Sequence, residues 1–306
     1  MAGCGGHKAT RPSASSPART DDTSRPQSRR YAQNDDSGPG GALPDVSKIP
    51  EPVPKAEPRS VYGNKSPYEV LGKSYSVLPS ASGYVERGIA SWYGNKFHGY
   101  TTSNFEKYDM YAYSAAHKTL PLPSYARVTN LENGKSVIVR VNDRGPFAEN
   151  RVIDLSYVAA IKLGIWQKGT GLVEVRAIDP EHPDRAPPSP VATAAASPPA
   201  HAPPATSVSP PASPRAAAPA PAPDKSHKPA LYLQVGAYSD QANAERAALR
   251  VRSAQVGEVR VVEGMSNGKP VRRVRIGPLR DAAEADALTP KVRALGLGEP
   301  RVAVDD

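Results

Sequence analysis

Apolar and polar residues alternate in the stretch VIVRV, residues 137–141, and this period of two predicts a β-strand. Val137, Val139 and Val141 share one face of that strand. The chain continues as NDRGPF, so an acidic and a basic side chain, Asp143 and Arg144, follow the strand on a turn formed by glycine and proline. The pattern therefore places charged groups at the end of a buried strand.

The same alternation recurs across residues 87–180, where short β-like runs are separated by turn signals. Asn133-Gly134 is a hairpin signature. The best local helix lies within RVIDLSYVAAIKLGI, with Ser156 as its cap and Gly164 at its end. These features predict a small, closed, mostly β domain with one or two short helices.

Residues 229–306 show a different arrangement, in which two strand patterns are each followed by an Ala-rich helical run. A further strand lies between the two halves and another ends the chain. This order predicts a four-stranded antiparallel sheet with two helices on one face. The segment has few histidines and no carboxylate cluster, so we expect a binding module.

The remaining segments lack hydrophobic periodicity. Most of the 34 prolines lie in residues 11–58 and 180–229. We expect residues 1–58 to form a disordered tether and residues 181–228 to form a disordered, semi-rigid Pro/Ala-rich linker. Residues 59–86 contain short Tyr- and Val-bearing pieces that predict a short β lead-in to the first domain.

Charge and composition exclude several function classes. The formal net charge of +9 permits an anionic partner such as a cell-wall polymer. No recognition helix, ribonucleoprotein motif or zinc-finger spacing indicates nucleic-acid binding. No phosphate loop is present, and His98 and His117 are the only histidines of the first domain. We therefore expect no cofactor and no metal.

The single cysteine, Cys4, lies in MAGCGG, which resembles the end of a bacterial lipoprotein signal. The apolar region that normally precedes such a cysteine is missing. The alternatives are a lipid anchor with translation starting upstream, or a free thiol near the terminus. We favour lipidation.

Carboxylates and aromatic residues concentrate in one part of the first domain. Glu106, Asp109 and Asp143 occupy loop-like positions, and all three phenylalanines of the chain lie between residues 97 and 147. Glycosidic bond cleavage needs a proton donor and a negative charge beside an oxocarbenium-like transition state. His117 is a candidate to hold one of the carboxylates. The alternative is that these acids are surface charges or turn caps.

Several motifs resemble the rare lipoprotein A (RlpA) family of bacterial cell-envelope proteins. They are GIASWYG, FHG, YDMY, AAHKTLPLPSYARVTNLENGKSVIVRVNDRGPF and RVIDLSYVAAIKLG, and they cover residues 87–180 almost continuously. The terminal segment, with YLQVGAYSDQANAERAALRVR and VRRVRIGPLRDAAEADAL, resembles a SPOR domain. The order of anchor, tether, core, linker and SPOR module matches that of the family.

The resemblance implies a double-psi β-barrel related to expansins. It further implies a lytic transglycosylase that cleaves the β-1,4 bond between N-acetylmuramic acid and N-acetylglucosamine in strands stripped of stem peptides, leaving 1,6-anhydro ends. The SPOR domain would bind the same denuded strands at the division septum. The implied location is the periplasm of a Gram-negative bacterium, with a lipid anchor in the outer membrane, and septal division proteins are further candidate partners.

The family's functional residues fall on Glu106, His117 and Asp143. We expect one carboxylate to act as acid/base and the other, positioned by His117, to stabilise positive charge; Asp143 is the favoured acid/base. Arg144 is expected to orient Asp143 or to pair with Asp109; the alternative is that it is a surface cation. The full set of expected substrate contacts is Tyr93, Phe105, Asp109 and Arg144 in the first domain and Gln234, Tyr238, Arg273 and Arg275 in the SPOR-like domain.

The chain departs from the family pattern at two positions. Phe105 stands where glycine is usual, and Tyr100 stands where a basic residue is common. Because phenylalanine does not readily adopt a positive φ, the loop that carries Glu106 is expected to differ. A non-cleaving, expansin-like scaffold at the septum is therefore the main alternative function, and a conventional hydrolase is a further one.

Overall fold

The structure is a computed structural model and describes residues 37–181, 229–266 and 268–305. Cys4, the first part of the expected tether and nearly all of the expected linker lie outside the described residues. The predictions made for them stay predictions.

Six strands close into a barrel in the order β3-β7-β4-β6-β5-β8. Their bounds are β3 Val85–Tyr93, β4 Ser114–His117, β5 Ser124–Asn130, β6 Ser136–Asp143, β7 Arg151–Ser156 and β8 Thr170–Ile178. The pairs β3/β7 and β4/β6 are parallel, and the other neighbours are antiparallel. Val137, Val139 and Val141 are buried in the barrel core, as the alternation predicts.

Local signals also locate the main turn and the barrel helix. β5 and β6 form an antiparallel hairpin around Asn133-Gly134, where Gly134 has φ +71°. Helix α1, Tyr157–Leu163, follows Ser156 and ends at Gly164 in the left-handed conformation. The limits of the predicted helix are therefore confirmed, and the residues before it form strand β7, whose Ile153 and Leu155 pack in the barrel core.

Before the barrel, residues 59–86 contain a two-stranded hairpin of β1, Tyr68–Val70, and β2, Lys73–Tyr75. Residues 37–58 correct our expectation of a tether, since they pack against the barrel. A short 3-10 helix, Val46–Lys48, lies there, and Val46 and Ile49 contact the barrel core. The Glu51 carboxylate accepts a hydrogen bond of 2.8 Å from the backbone N–H of Ile138.

The second domain has the predicted arrangement, with a four-stranded antiparallel sheet in the order β10-β11-β9-β12. Its elements are β9 Ala230–Tyr238, α2 Gln241–Ser253, β10 Val259–Ser266, β11 Lys269–Leu279, α3 Ala282–Ala294 and β12 Arg301–Asp305. Asp240 and Asp281 cap the two helices by accepting backbone hydrogen bonds from the third residue of each. Within the described ranges, no helix has the length and apolar character needed to cross a membrane.

Candidate active site

Asp143 lies at the end of β6, beside the end of β4. These two strands run parallel and Ala116 of β4 is the register partner of Asp143, so both strands deliver their last residues to one edge of the barrel. One carboxylate oxygen of Asp143 accepts hydrogen bonds from the Ser103 N–H at 2.8 Å, the Ser103 hydroxyl at 2.6 Å and the Arg144 N–H at 2.7 Å. Burial raises the pKa of Asp143 above its ordinary value in spite of these bonds.

Glu106 lies on a loop closed by a bridge between Thr101 and Lys107. Its carboxylate accepts hydrogen bonds from Arg140 at 2.6 Å and from the Asn142 side chain at 3.0 Å. Burial acts to raise the pKa of Glu106, but the bonds from Arg140 and Asn142 outweigh it and hold this pKa below its ordinary value. Since Ser103 belongs to the same loop, its bonds to Asp143 bring the two candidate carboxylates to one region.

Arg140 connects this region to the segment before the barrel. Its guanidinium donates hydrogen bonds of 3.0 and 2.9 Å to the two carboxylate oxygens of Glu57 while it also binds Glu106. The hydrogen bonds from Arg140 lower the pKa of Glu57 to about 2, against the effect of burial. Residues 37–58 therefore contribute to the support of Glu106.

His117 is almost completely buried, with 2% of its surface exposed. Its Nδ1 accepts hydrogen bonds from the N–H groups of Thr119 and Leu120 at 3.1 and 3.0 Å. The proton therefore resides on Nε2, which lies 2.8 Å from the Tyr84 hydroxyl. Burial lowers the pKa of His117 to about 3. The expected contact with a candidate carboxylate is not among the hydrogen bonds described for this side chain, because the turn after β4 and Tyr84 occupy its two nitrogens.

Arg144 binds backbone carbonyls of the turn that follows β4. Its guanidinium donates to the carbonyls of Gly63 at 2.7 Å, His117 at 3.0 Å and Leu120 at 2.5 Å. The expected pair with Asp109 is wrong. The Asp109 carboxylate instead accepts from the Tyr111 N–H at 2.9 Å and lies 3.8 Å from His98 Nδ1. The backbone N–H of Arg144 contacts the Asp143 carboxylate, so Arg144 positions Asp143 through the turn.

The burial of Tyr93 and the backbone conformation of Phe105 differ from our expectations. Tyr93 is buried and stacks on Tyr108 with ring centroids 4.2 Å apart, so it packs in the core and does not face an open groove. Phe105 has φ +68° and is 67% exposed. The loop thus retains a left-handed conformation at this position although the residue is not glycine, which corrects the expectation that phenylalanine would alter the loop.

Asp154 is a further buried carboxylate, and it was not among the residues predicted from the sequence. The Ser91 hydroxyl donates a hydrogen bond to it, and its Oδ2 lies 3.9 Å from where a Cβ on Gly145 would be. Burial raises the pKa of Asp154, and the nearby charge of Asp143 acts in the same direction. The sequence signal for Asp154 is the alternation in VIDLS, where Asp154 occupies the strand face opposite Ile153 and Leu155.

The predicted residues of the second domain all lie on the adjacent strands β9 and β11, but their side chains have different partners. Gln234 and Arg275 are register partners on adjacent strands. Arg275 is buried, pairs with Asp305 and lies 5.9 Å from the ring centroid of Tyr232. Arg273 donates a hydrogen bond of 2.9 Å to the Met265 carbonyl, and Tyr238 packs against the domain core.

In the part of the chain that the structure describes, no three His, Cys, Asp or Glu side chains are grouped as a metal site would require. At the barrel edge, Asp143 and Glu106 are two carboxylates whose pKa values are shifted in opposite directions.

Both domains match known protein families. Residues 85–175 match the family described as lytic transglycolase, and residues 228–300 match the SPOR domain family. The chain is 52% identical over 159 residues to the endolytic peptidoglycan transglycosylase RlpA of Vibrio cholerae, covering 52% of this chain and 60% of the relative. It is 62% identical over 136 residues to the protein of the same name from Pseudomonas aeruginosa, covering 44% and 39%.

The crystal structure of the SPOR domain of Pseudomonas aeruginosa RlpA is 30% identical and covers 24% of this chain and 96% of that chain, with a TM-score of 0.23. The chain spans 60% or less of the length of the two curated relatives described above. The expected fold class, a double-psi β-barrel followed by a SPOR-type domain, is confirmed. The resemblance to RlpA is likewise confirmed: residues 85–175 match the lytic transglycolase family and residues 228–300 match the SPOR domain family.

Proposed function

We propose that this chain is an endolytic lytic transglycosylase that cleaves MurNAc-β-1,4-GlcNAc bonds in denuded peptidoglycan strands and leaves 1,6-anhydroMurNAc ends. The observation that carries the proposal is the opposite shift of the Asp143 and Glu106 pKa values in one region of the barrel edge. A carboxyl with a raised pKa suits proton donation, and a carboxylate with a lowered pKa suits stabilisation of positive charge. The names of the relatives support the same reaction.

In the proposed reaction, Asp143 donates its proton to the glycosidic oxygen as the bond from that oxygen to C1 of MurNAc breaks. Ionised Glu106 stabilises the positive charge that develops on the sugar. The 6-hydroxyl of the same MurNAc then attacks C1, and its proton passes to the Asp143 carboxylate. The C1–O6 bond replaces the broken bond and no water is consumed.

His117 acts in this proposal as a positioning residue. Its ring accepts two N–H groups of the turn after β4, and that turn supplies carbonyls to the Arg144 guanidinium. Arg144 in turn donates its backbone N–H to Asp143. A neutral imidazole is required for this arrangement, because Nδ1 must act as an acceptor.

The SPOR domain would supply binding to denuded strands and so direct the enzyme to the division septum. Gln234 and Arg275 lie side by side on its sheet, while Arg273 and Tyr238 lie nearby on β11 and β9. Lipidation of Cys4 and attachment to the outer membrane complete the proposal, with division proteins as additional partners. These parts rest on the domain resemblance and on the motif around Cys4.

The proposal is tested by treating intact and amidase-denuded sacculi with the full chain and analysing soluble products by mass spectrometry. We expect denuded sacculi to release 1,6-anhydromuramyl fragments, and we expect Asp143→Asn to release none. Glu132→Gln is the matched control, since Glu132 lies on the hairpin between β5 and β6, at the end of those strands away from Asp143.

The other functions predict different products. Reducing ends in place of anhydro ends would identify a hydrolase. If no fragment is released while the protein sediments with denuded sacculi, the chain is a peptidoglycan-binding scaffold. Full activity of Asp143→Asn together with inactivity of Glu106→Gln would exchange the roles of the two carboxylates.

A further inference from the structure

Phe105 combines two unfavourable features. It adopts φ +68°, a left-handed conformation that is strained for a non-glycine residue. It also leaves 67% of its surface exposed, so its burial does not offset that cost. Glycine would satisfy the same backbone conformation without strain. Stability alone therefore does not explain this ring, which precedes Glu106 directly.

The ring of Phe105 lies against a second exposed aromatic residue from a distant part of the chain. The centroid of Tyr62 is 4.1 Å from that of Phe105, and the ring planes are tilted by 33°. Tyr62 is 53% exposed. The two rings form an exposed pair, which we call the aromatic platform.

Several contacts anchor the Tyr62 side of the platform. Its N–H donates to the Ser60 hydroxyl at 3.2 Å, and the Ser60 N–H donates to the Leu122 carbonyl at 2.9 Å. The carbonyl of Gly63 accepts the Arg144 guanidinium at 2.7 Å. A Cβ on Gly63 would lie 2.8 Å from the Ser103 carbonyl, so the Tyr62 segment packs directly on the loop that carries Phe105.

Two of the anchoring residues, Ser103 and Arg144, also hydrogen-bond to Asp143. Arg144 holds both Gly63 and the turn beside Asp143, and Ser103 bonds to Asp143 while packing near Gly63. The platform is thus fixed relative to both carboxylates through short covalent and hydrogen-bonded paths. Aromatic rings offer a flat apolar surface, and a pyranose ring presents axial C–H groups on one face.

We propose that Tyr62 and Phe105 form a stacking subsite for one N-acetylhexosamine ring of the glycan strand, which sets the register of the strand relative to Asp143 and Glu106. This inference rests on the proposed function for its substrate. The occupant is a sugar because Phe105 directly precedes Glu106 and Ser103 of the same loop hydrogen-bonds to Asp143. A glycine at position 105 would lack this ring and its contact with Tyr62.

The direct test uses binding, so that it does not depend on turnover. The three phenylalanines of the chain, Phe97, Phe105 and Phe147, all lie in the barrel part, so fluorine-labelled phenylalanine gives three NMR signals and none from the SPOR domain. The full chain carrying Asp143→Asn is titrated with a peptide-free GlcNAc-MurNAc tetrasaccharide. We expect the Phe105 signal, identified by its absence in Phe105→Gly, to shift on binding. An unmoved Phe105 signal at saturating tetrasaccharide overturns the inference.

The kinetic test separates this subsite from the chemistry. Phe105→Gly and Tyr62→Ala should raise KM for denuded glycan roughly threefold to tenfold with little change in kcat, and Phe105→Tyr should restore the wild-type KM. Leu71→Gly is the matched control, because Leu71 also has a positive φ of +53° and is 73% exposed. An unchanged KM in Phe105→Gly overturns the inference.

The two proposals fail in distinguishable ways. If the wild-type chain releases no anhydro product but the Phe105 signal still shifts with tetrasaccharide, the lytic reaction is wrong and the subsite stands. If products are released normally by Phe105→Gly with an unchanged KM, the reaction stands and the subsite is wrong. Thermal unfolding of each variant checks that a loss of binding is not a loss of fold.

Discussion

Asp143 and Glu106 differ in environment more than in chemistry. Burial dominates at Asp143, whereas the bonds from Arg140 and Asn142 dominate at Glu106. The activity should therefore depend on pH through both groups. It should fall at high pH as Asp143 loses its proton and at low pH as Glu106 gains one.

Asp143→Asn should increase stability at neutral pH while it removes activity. The folded-state pKa of Asp143 is raised, so ionisation at pH 7 opposes folding, and an amide of the same shape avoids that cost. At pH 7 we expect the variant to have a higher Tm than the wild type. This difference in Tm should disappear below the ordinary aspartate pKa of 3.8, where Asp143 is protonated in both the folded and the unfolded protein. Activity should fall by about 100-fold or more.

Calorimetry at pH 3 and pH 7 measures this difference, with Glu132→Gln as the control for loss of one negative charge. A lower Tm for Asp143→Asn at pH 7 would show that the hydrogen bonds from Ser103 and Arg144 outweigh the effect of burial.

Arg140→Gln should move the acidic limb of the activity profile to higher pH. Arg140 lowers the pKa of Glu106, so its removal lets that pKa rise and Glu106 becomes protonated at a higher pH. The variant should also lose about 1–3 kcal/mol of unfolding free energy, because Glu57 loses its charged partner. The pH dependence of kcat/KM measures the shift. Arg127→Gln, at an exposed position of β5, should leave the profile unchanged.

At the scale of secondary structure, sequence patterns correctly predicted the elements that depend on neighbouring residues. The alternation in β6, the Asn133-Gly134 turn and the strand-helix order of the second domain each depend on neighbouring residues, and each is present in the structure. Residues 37–58 were mistaken for a tether because their proline-rich composition conceals contacts to distant positions. Glu57 meets Arg140, 83 residues later, and no local pattern records that pairing.

In the candidate site, too, local motifs predicted individual residues but not their contacts with distant residues. Asp143, Glu106 and His117 were predicted through motifs, but their partners depend on barrel closure. Asp154 lies on strand β7, and its proximity to the Gly145 turn follows from the pairing of β7 with β4. The partners of His117 required knowledge of the turn after β4.

His117 should not titrate between pH 5 and 8. Burial lowers its pKa to about 3, and its Nδ1 accepts two backbone N–H groups only while it is unprotonated. The ring resonances of His117, assigned by their loss in His117→Gln, should stay constant in an NMR titration over this range. A titration midpoint near 6.5 would show that His117 can be a proton carrier at neutral pH and would contradict its role as a positioning residue.

At the scale of the whole molecule, the two domains contact each other across the outer surface of the barrel. The guanidinium of Arg293 on α3 lies 2.8 Å from the Glu149 carboxylate. The Asn150 side chain donates to Asp286 at 2.9 Å and to Thr289 at 2.8 Å. These contacts give the SPOR domain a defined position relative to the barrel.

An apolar pair on the barrel wall supports the same contact. Ile89 of β3 is 1% exposed, yet it belongs to the apolar cluster of the SPOR domain, whereas its neighbour Ala90 belongs to the barrel core. Leu172, the register partner of Ile89 on β8, packs against the same cluster, as do Val302 and Val304 of β12. Ile89 therefore points outward from the barrel and is covered by the second domain.

Ile89→Asp should separate the domains without unfolding either one. Burial of an isoleucine contributes about 1.5–3 kcal/mol, and a carboxylate in the same apolar contact adds a desolvation cost. Because the substitution lies on the outer face of the wall, the barrel core is unaffected. We expect a larger radius of gyration in small-angle scattering and an unchanged far-UV circular dichroism spectrum. The control is Leu249→Asp, on the exposed face of α2, which should leave the radius of gyration unchanged. An unchanged radius in Ile89→Asp would mean that the Arg293–Glu149 ion pair and the Asn150 hydrogen bonds hold the domains together without the apolar pair.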